Sequence, residues 1–276
     1  MPFIGREAEL GSLAGALQRA AQAETSRLVI RGPLGIGISH LLDELARRLG
    51  DVEDVIVCRG RAEAPLSGVP YAAVSAALAG PLASVDEAEL PALVGGAGYD
   101  LAAIVPGLAE RLARAGDVPR APALDAPDQR GTRLQEAVLG LLERLAGRRV
   151  ICLILEDLQH SDPGTRELVQ GLLRLSRPMP LTLIATYHTD ELQRGHPAWD
   201  FVRELAEHRA VETIELGPME RVEISALVEA IRGEKPALGL VAAIMEGSKG
   251  NPLIAGQLVG AQAEVAGPRP ALAARA

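Results

Sequence analysis

The 276-residue chain carries 28 Lys+Arg against 36 Asp+Glu, a formal net charge of −8, and is 48 % hydrophobic but only 2 % aromatic. That length and apolar content suit one or two packed domains with cores of Leu, Val, Ile and Ala, while the acidic balance and scarce aromatics argue against a nucleic-acid-binding surface or a base-stacking platform. No apolar run approaches the roughly 20 residues of a membrane helix, and the N-terminus has no basic region followed by an apolar stretch, so the expectation is a cytoplasmic protein without membrane contact.

Residues 7–22 place Leu10, Leu13 and Leu17 on one helical face, and 27–31 reads as a short buried strand. Glycines at 32, 35 and 37 follow, and then Leu41, Leu42, Leu45 and Leu49 recur at helical spacing. Further strands are expected at 54–58, 149–155, 181–187 and 211–216, separated by helical patterns at 132–146 and 163–176. Cys58 and Cys152 each lie inside a strand-like run and read as small core residues. Between the second and third strands the chain is rich in Ala, Pro and Gly, and 115–131 reads as a mobile loop within an insertion. After Gly217-Pro218 the pattern turns helical. Five strands alternating with helices imply a parallel sheet covered on both faces. The expected division is an α/β domain over 1–216, a helical lid over 217–264 and a tail or linker over 265–276.

Gly32-Pro33-Leu34-Gly35-Ile36-Gly37-Ile38-Ser39 follows the phosphate-loop pattern G-x-x-x-x-G-K-[ST] except that Ile38 stands at the lysine. Glycines there let backbone N–H groups turn toward phosphate oxygens at a helix N-terminus, and those donors do not depend on the side chain at 38. The missing ammonium removes a charge-assisted hydrogen bond, worth roughly 1.5–3 kcal/mol, and an electrostatic contribution to turnover of order 10²–10³. Lys235 and Lys249 are the only lysines in the chain; Lys249, just before Gly250-Asn251-Pro252, and Arg31, beside the loop, are the cations weighed as substitutes. The strand ending at 155 runs into Glu156-Asp157, where a magnesium site and a water-orienting group sit in a phosphate-loop protein. Ser39, Glu156 and Asp157 are the candidate metal residues, and Glu156 and Asp157 the candidate catalytic acids. Asp162-Pro163 reads as an N-cap followed by a first-turn proline.

Taken together these motifs resemble the STAND branch of AAA+-related ATPases, the regulatory module of MalT-like and LuxR-type transcription activators. The resemblance rests on Phe3-Ile4-Gly5-Arg6-Glu7-Ala8-Glu9-Leu10, the phosphate loop, Leu155-Glu156-Asp157-Leu158-Gln159-His160-Ser161-Asp162-Pro163, Ala185-Thr186-Tyr187-His188-Thr189-Asp190-Glu191-Leu192, Leu216-Gly217-Pro218-Met219 and Gly250-Asn251-Pro252-Leu253. It implies a five-stranded parallel sheet with a small helical lid, and ATP or ADP with Mg²⁺ as cofactors. The implied nucleotide-binding residues are Gly32, Gly35, Ile36, Gly37, Ile38, Ser39 and His40 at the loop, Ile4, Arg6 and Pro218 near the base, and His188 at the γ-phosphate. The departures fall at the phosphates: Ile38 for lysine, His160 for the usual tryptophan and His188 for the sensing arginine.

Three readings follow: a degenerate switch that binds nucleotide weakly and has lost hydrolysis, an ATPase with a substitute cation, or a nucleotide-free scaffold acting through protein partners or self-association. Relatives that continue into winged-helix, repeat and DNA-binding segments imply that any role in transcription comes by analogy.

Overall fold

The computed structural model describes residues 1–50, 52–64, 69–120, 130–147, 149–174 and 178–266, the side chains of 262–266 excepted. The elements run α1 (Glu7–Ala21), β1 (Ser26–Gly32), α2 (Ile38–Leu49), β2 (Val55–Arg61), α3 (Ala72–Ala83), α4 (Leu90–Val94), α5 (Gly98–Ala102), α6 (Leu108–Arg114), α7 (Arg130–Ala146), β3 (Val150–Glu156), α8 (Pro163–Leu173), β4 (Leu181–His188), α9 (Trp199–Glu207), β5 (Glu212–Glu215), α10 (Arg221–Arg232), α11 (Leu238–Ser248) and α12 (Pro252–Ala266). The five strands form one parallel sheet in the order β2-β3-β4-β1-β5, as the α/β alternation predicts.

Every residue of β3 and β4 is buried. Both faces of a parallel sheet carry helices, so a strand at its centre reads as an unbroken apolar run. Alternate residues then serve opposite layers. Val29, Leu153 and Leu183 join one cluster with α3, α7, α8 and α9, while Leu28, Ile30, Ile154 and Ile184 join another with α1 and α2. Cys58 belongs to the first layer and Cys152 to the second. Both are free thiols, and burial pushes each up to about 12, so they act as small core residues.

The stretch between β2 and β3 is helical over much of its length. Leu78, Leu82, Leu90, Val94, Leu101, Leu108 and Leu112, from α3 to α6, are buried in the same layer as Leu134, Val138 and Leu141 of α7. Of the expected loop at 115–131, residues 121–129 lie outside those described, and α7 starts at Arg130. Residues 175–177, where the pattern of 163–176 ends, and 267–276 of the tail also lie outside them. The α9 helix has no counterpart in the sequence reading; it buries Phe201, Val202 and Leu205 in a single short face. The α10–α12 helices close around a separate small cluster of Met219, Ile224, Leu227, Val228, Val241, Ile244, Ala255 and Val259.

Gly60 allows α3 to cross β2 at close range, since a Cβ there would lie 1.9 Å from the Ala73 carbonyl oxygen and 2.8 Å from the Ala77 nitrogen. Both obstacles are backbone, so neither can swing aside. Gly60→Ala is therefore expected to lower stability by about 1–3 kcal/mol, the usual cost of overpacking, seen as a lower urea midpoint with an unchanged m-value.

Candidate functional site

The carboxyl ends of the parallel strands open into the crevice where ligands of such sheets bind. β1 ends at Gly32, and a Cβ there would lie 2.8 Å from the Leu216 carbonyl oxygen and 2.9 Å from the Ile36 side chain. The loop then turns through Gly35 at φ 78° and Gly37 at φ 104°, conformations that glycine alone adopts freely. The turn delivers the chain to the start of α2 at Ile38, whose first N–H groups have no partner inside the helix and point out of its N-terminus. A cavity of about 380 Å³ lies against this end, lined by loop residues, by Arg61 from β2, by Asp157 and His160 after β3, by His188 from β4 and by Leu253 of α12. Of the residues expected at the phosphates, Gly35, Gly37, Ile38, Ser39, His40, Asp157 and His188 line it. Ile38 is 2 % exposed and packs into the α1/α2 layer, so an apolar side chain lies where the pattern calls for an ammonium.

Glu156 is not on the cavity wall. It is 2 % exposed, and both carboxylate oxygens accept from arginine: Oε1 from Arg59 Nε at 2.7 Å and Oε2 from Arg61 Nη2 at 2.8 Å. Arg61 Nη2 also donates to Ser39 Oγ at 2.7 Å, and Arg61 Nε lies 3.4 Å from Asp157 Oδ2. Arg59 reaches Asp43 of α2 as well, at 2.7 Å. The in-register pairing of Arg61 with Glu156 across β2 and β3 brings these groups together. Neither arginine figures in the sequence reading, which ends the second strand at Cys58, where the apolar run stops. The legible signal was their spacing of two, which puts both on one face of a strand.

The acid after β3 is held differently. Asp157 adopts a left-handed conformation, φ 57° and ψ 44°, a sparsely populated region for a residue with a side chain. Its amide donates to Thr186 Oγ1 at 3.1 Å, and its Oδ1 lies 3.4 Å from His188 Nε2. His188 lines the cavity, and its Nδ1 is buried without a hydrogen-bond partner among the described residues. Gln159 binds the His188 amide through its carbonyl and Glu191 through its amide, and His160 Nε2 lies 3.2 Å from Glu191. Asp162 caps α8 as expected, accepting from the Thr165 amide at 2.9 Å.

The remaining expected residues surround the place where the resemblance puts the base. Ile4, Arg6 and Ile36 line a second cavity of only about 20 Å³, together with Met1, Phe3, His40, Met219 and Pro252. A volume of that size holds about one water. Arg6 donates to the Gly217 carbonyl at 2.7 Å and pairs with Glu9, and His40 Nε2 donates to the Met1 carbonyl at 2.6 Å. These two side chains tie the N-terminal segment down. Pro218 packs against Gly250, where a Cβ would lie 2.8 Å from the Pro218 Cβ. Neither cation weighed as a substitute lines the phosphate cavity: Arg31 pairs with Glu215 at 2.6 Å, and Lys249 is exposed.

A family profile described as AAA ATPase domain matches residues 2–184. The chain belongs to this AAA ATPase family. No curated protein matches it. Among solved structures it is similar to two mutant forms of RuvB from Thermotoga maritima, each 13 % identical, with TM-scores of 0.44 and 0.45. Each alignment covers 94 % of this chain and 62 % of the RuvB chain, so the AAA chain here spans less than two thirds of either protein's length. Among the described residues no helix is long and apolar enough to cross a membrane.

AAA ATPases generally take ATP or ADP with Mg²⁺. The backbone turn and the helix N-terminus fit phosphate oxygens. The residues around Ser39 do not fit a divalent cation as they stand. Magnesium needs near-octahedral oxygen ligands at about 2.0–2.1 Å, whereas Ser39, Glu156 and Asp157 are gathered on one guanidinium.

Two facing groups at the cavity, His188 and Asp157, shift each other's titration. The Asp157 carboxylate raises His188 above its usual 6.5, against the burial that lowers it. Burial pushes Asp157 upward, but the His188 bond and the charges of Arg61, His188 and His160 together hold it below its usual 3.8. The His188 contribution is complete below pH 6.5 and fades as pH rises through its higher folded value; the Asp157 contribution is complete above 3.8 and fades as pH falls through its lower folded value. The pair therefore stabilises fully only between these limits. In denaturant titrations, the stability of the natural protein relative to His188→Gln is expected to be greatest near pH 5–6 and to shrink steadily toward pH 8.5.

Proposed function

We propose that this chain is a STAND-type regulatory module of the signalling and transcription-regulator class, a switch that binds ATP or ADP weakly and has lost hydrolysis. The observation that carries the reading is the bonding of the lid to the phosphate loop itself. Asn251 Nδ2 donates to the Leu34 carbonyl at 2.9 Å, and the Leu253 amide donates to the Gly35 carbonyl at 3.3 Å. At Gly35 a Cβ would lie 2.9 Å from the Leu253 side chain and 3.0 Å from Asn251 Oδ1. A phosphate on this loop acts on the groups that hold the lid.

The base cavity supports the same reading. A base enters only when the N-terminal segment and Pro252 separate, so a bound nucleotide and the closed lid compete for one space. Ligand affinity that differs between two states shifts the population between them. The loss of hydrolysis is supported by the absence of the lysine and by Glu156, which is turned away from the cavity and held by two arginines. An acid so placed has no water to orient.

Calorimetric titration with ATP and ADP, with turnover followed on the same samples, tests the reading. The natural protein is expected to bind in the micromolar range without releasing phosphate. Ile38→Lys is expected to bind about ten- to a hundredfold more tightly, the worth of one charge-assisted bond. Phosphate release by the natural protein would make it an ATPase, and absence of binding would make it a scaffold. Asn251→Ala removes one lid-to-loop bond together with the cap that Asn251 Oδ1 gives the Leu253 and Ile254 amides, and is expected to speed proteolysis within 250–254 in the absence of nucleotide, with stability lowered by about 0.5–2 kcal/mol.

A further inference from the structure

We infer that Arg61 stands in for the divalent cation of this site, so that the loop takes a nucleoside di- or triphosphate without magnesium. The inference rests on the nucleotide-binding reading above and deepens it. The three groups that would gather a metal between them, Ser39 Oγ, the Glu156 carboxylate and the Asp157 carboxylate, all lie on one guanidinium, at 2.7, 2.8 and 3.4 Å. The remaining Glu156 oxygen is taken by Arg59. Two carboxylates that would face a doubly charged ion instead face two guanidiniums, one of which, Arg59, is shared with Asp43.

The arrangement opposes a metal on two counts. A cation at bonding distance from Ser39 Oγ displaces the Arg61 bond and sets a dication beside a guanidinium that cannot lose its proton. It would also have to recruit Glu156, which is 2 % exposed and has both oxygens engaged.

The same arrangement leaves Arg61 fit to receive phosphate. Its side chain is 44 % exposed and lines the cavity beside Gly37, Ser39 and His188. Nε and Nη2 are held by the protein, whereas Nη1 bonds none of the described residues. Both Nη2 hydrogens are spent on Glu156 and Ser39, so Nη1 presents the remaining two N–H donors, held in a fixed plane, to a phosphate oxygen. Holding it in place beforehand also removes most of the ordering cost that a free arginine would meet on binding.

Calorimetry of the natural protein with ADP and ATP in excess EDTA, repeated in millimolar Mg²⁺, tests the inference. Affinity in EDTA is expected to equal or exceed that in Mg²⁺, and Mg²⁺ titrated alone is expected to give no heat of binding. Arg61→Gln is expected to lose about ten- to a hundredfold of its metal-free affinity and to recover part of it in Mg²⁺, because Ser39, Glu156 and Asp157 are then released. Arg61→Lys keeps the charge and is expected to fall between the two without gaining a response to Mg²⁺. Recovery in Mg²⁺ separates replacement of a metal from a purely structural ion pair, and the comparison on the natural protein holds whether or not Arg61→Gln folds. Binding that appears only with Mg²⁺ overturns the inference and leaves the nucleotide switch standing; no binding in either buffer overturns both.

Discussion

The Glu156 carboxylate organises the site. It lies at the end of the inner strand β3, 2 % exposed, and carries an arginine on each oxygen. A buried carboxylate without partners is strongly unfavourable, and removing either arginine would leave charge that water cannot reach. The ion pairs therefore fix more than themselves. They hold the edge strand β2 to β3 at the mouth of the crevice, reach α2 through Asp43 and set the Ser39 hydroxyl at the foot of the phosphate loop. The position of the loop, the identity of the charge facing it and the seclusion of one candidate acid all follow from that carboxylate.

A second constraint is steric and lies on the other side of the loop. Gly35 has no side chain, so Leu253 and Asn251 can approach its backbone, and the lid rests on the same turn that would receive a phosphate. Gly250, at φ 79°, brings its carbonyl to the Met219 amide at 2.8 Å and closes the lid against Pro218. With Arg6 bound to the Gly217 carbonyl and His40 to that of Met1, the N-terminal segment, Met219 and Pro252 close around the small cavity lined by Ile4, Arg6 and Ile36. If the chain switches as proposed, coupling between ligand and the α10–α12 helices needs no long pathway, because both meet the same loop.

The two acids after β3 meet different fates although they are neighbours in sequence. Glu156 continues the strand, where alternation turns it inward toward β2 and its arginines. Asp157 leaves the strand in a left-handed turn and so faces the cavity with His188, where it is 16 % exposed. One residue of backbone geometry thus separates a structural anion from one that can meet a ligand.

What the sequence determined alone is whatever depends on neighbours in the chain. The short apolar runs of the strands, the helical spacing of Leu41, Leu42 and Leu45, the cap at Asp162 and the glycine turn before α2 each declare themselves within a few residues, and the order of elements with that turn was enough to place the chain among phosphate-loop AAA domains. The helices between β2 and β3 were hidden because their Ala, Gly and Pro content weakens the periodic signal, although their leucines fill one side of the core. The charge at the site was decided by the tertiary structure. Position 38 shows isoleucine where the pattern has lysine, but Arg61 acts across 95 residues of chain on Glu156 and across 22 on Ser39, and only the register of β2 against β3 brings those atoms together. Local spacing cannot encode that register, because it is set by which faces two distant strands must bury.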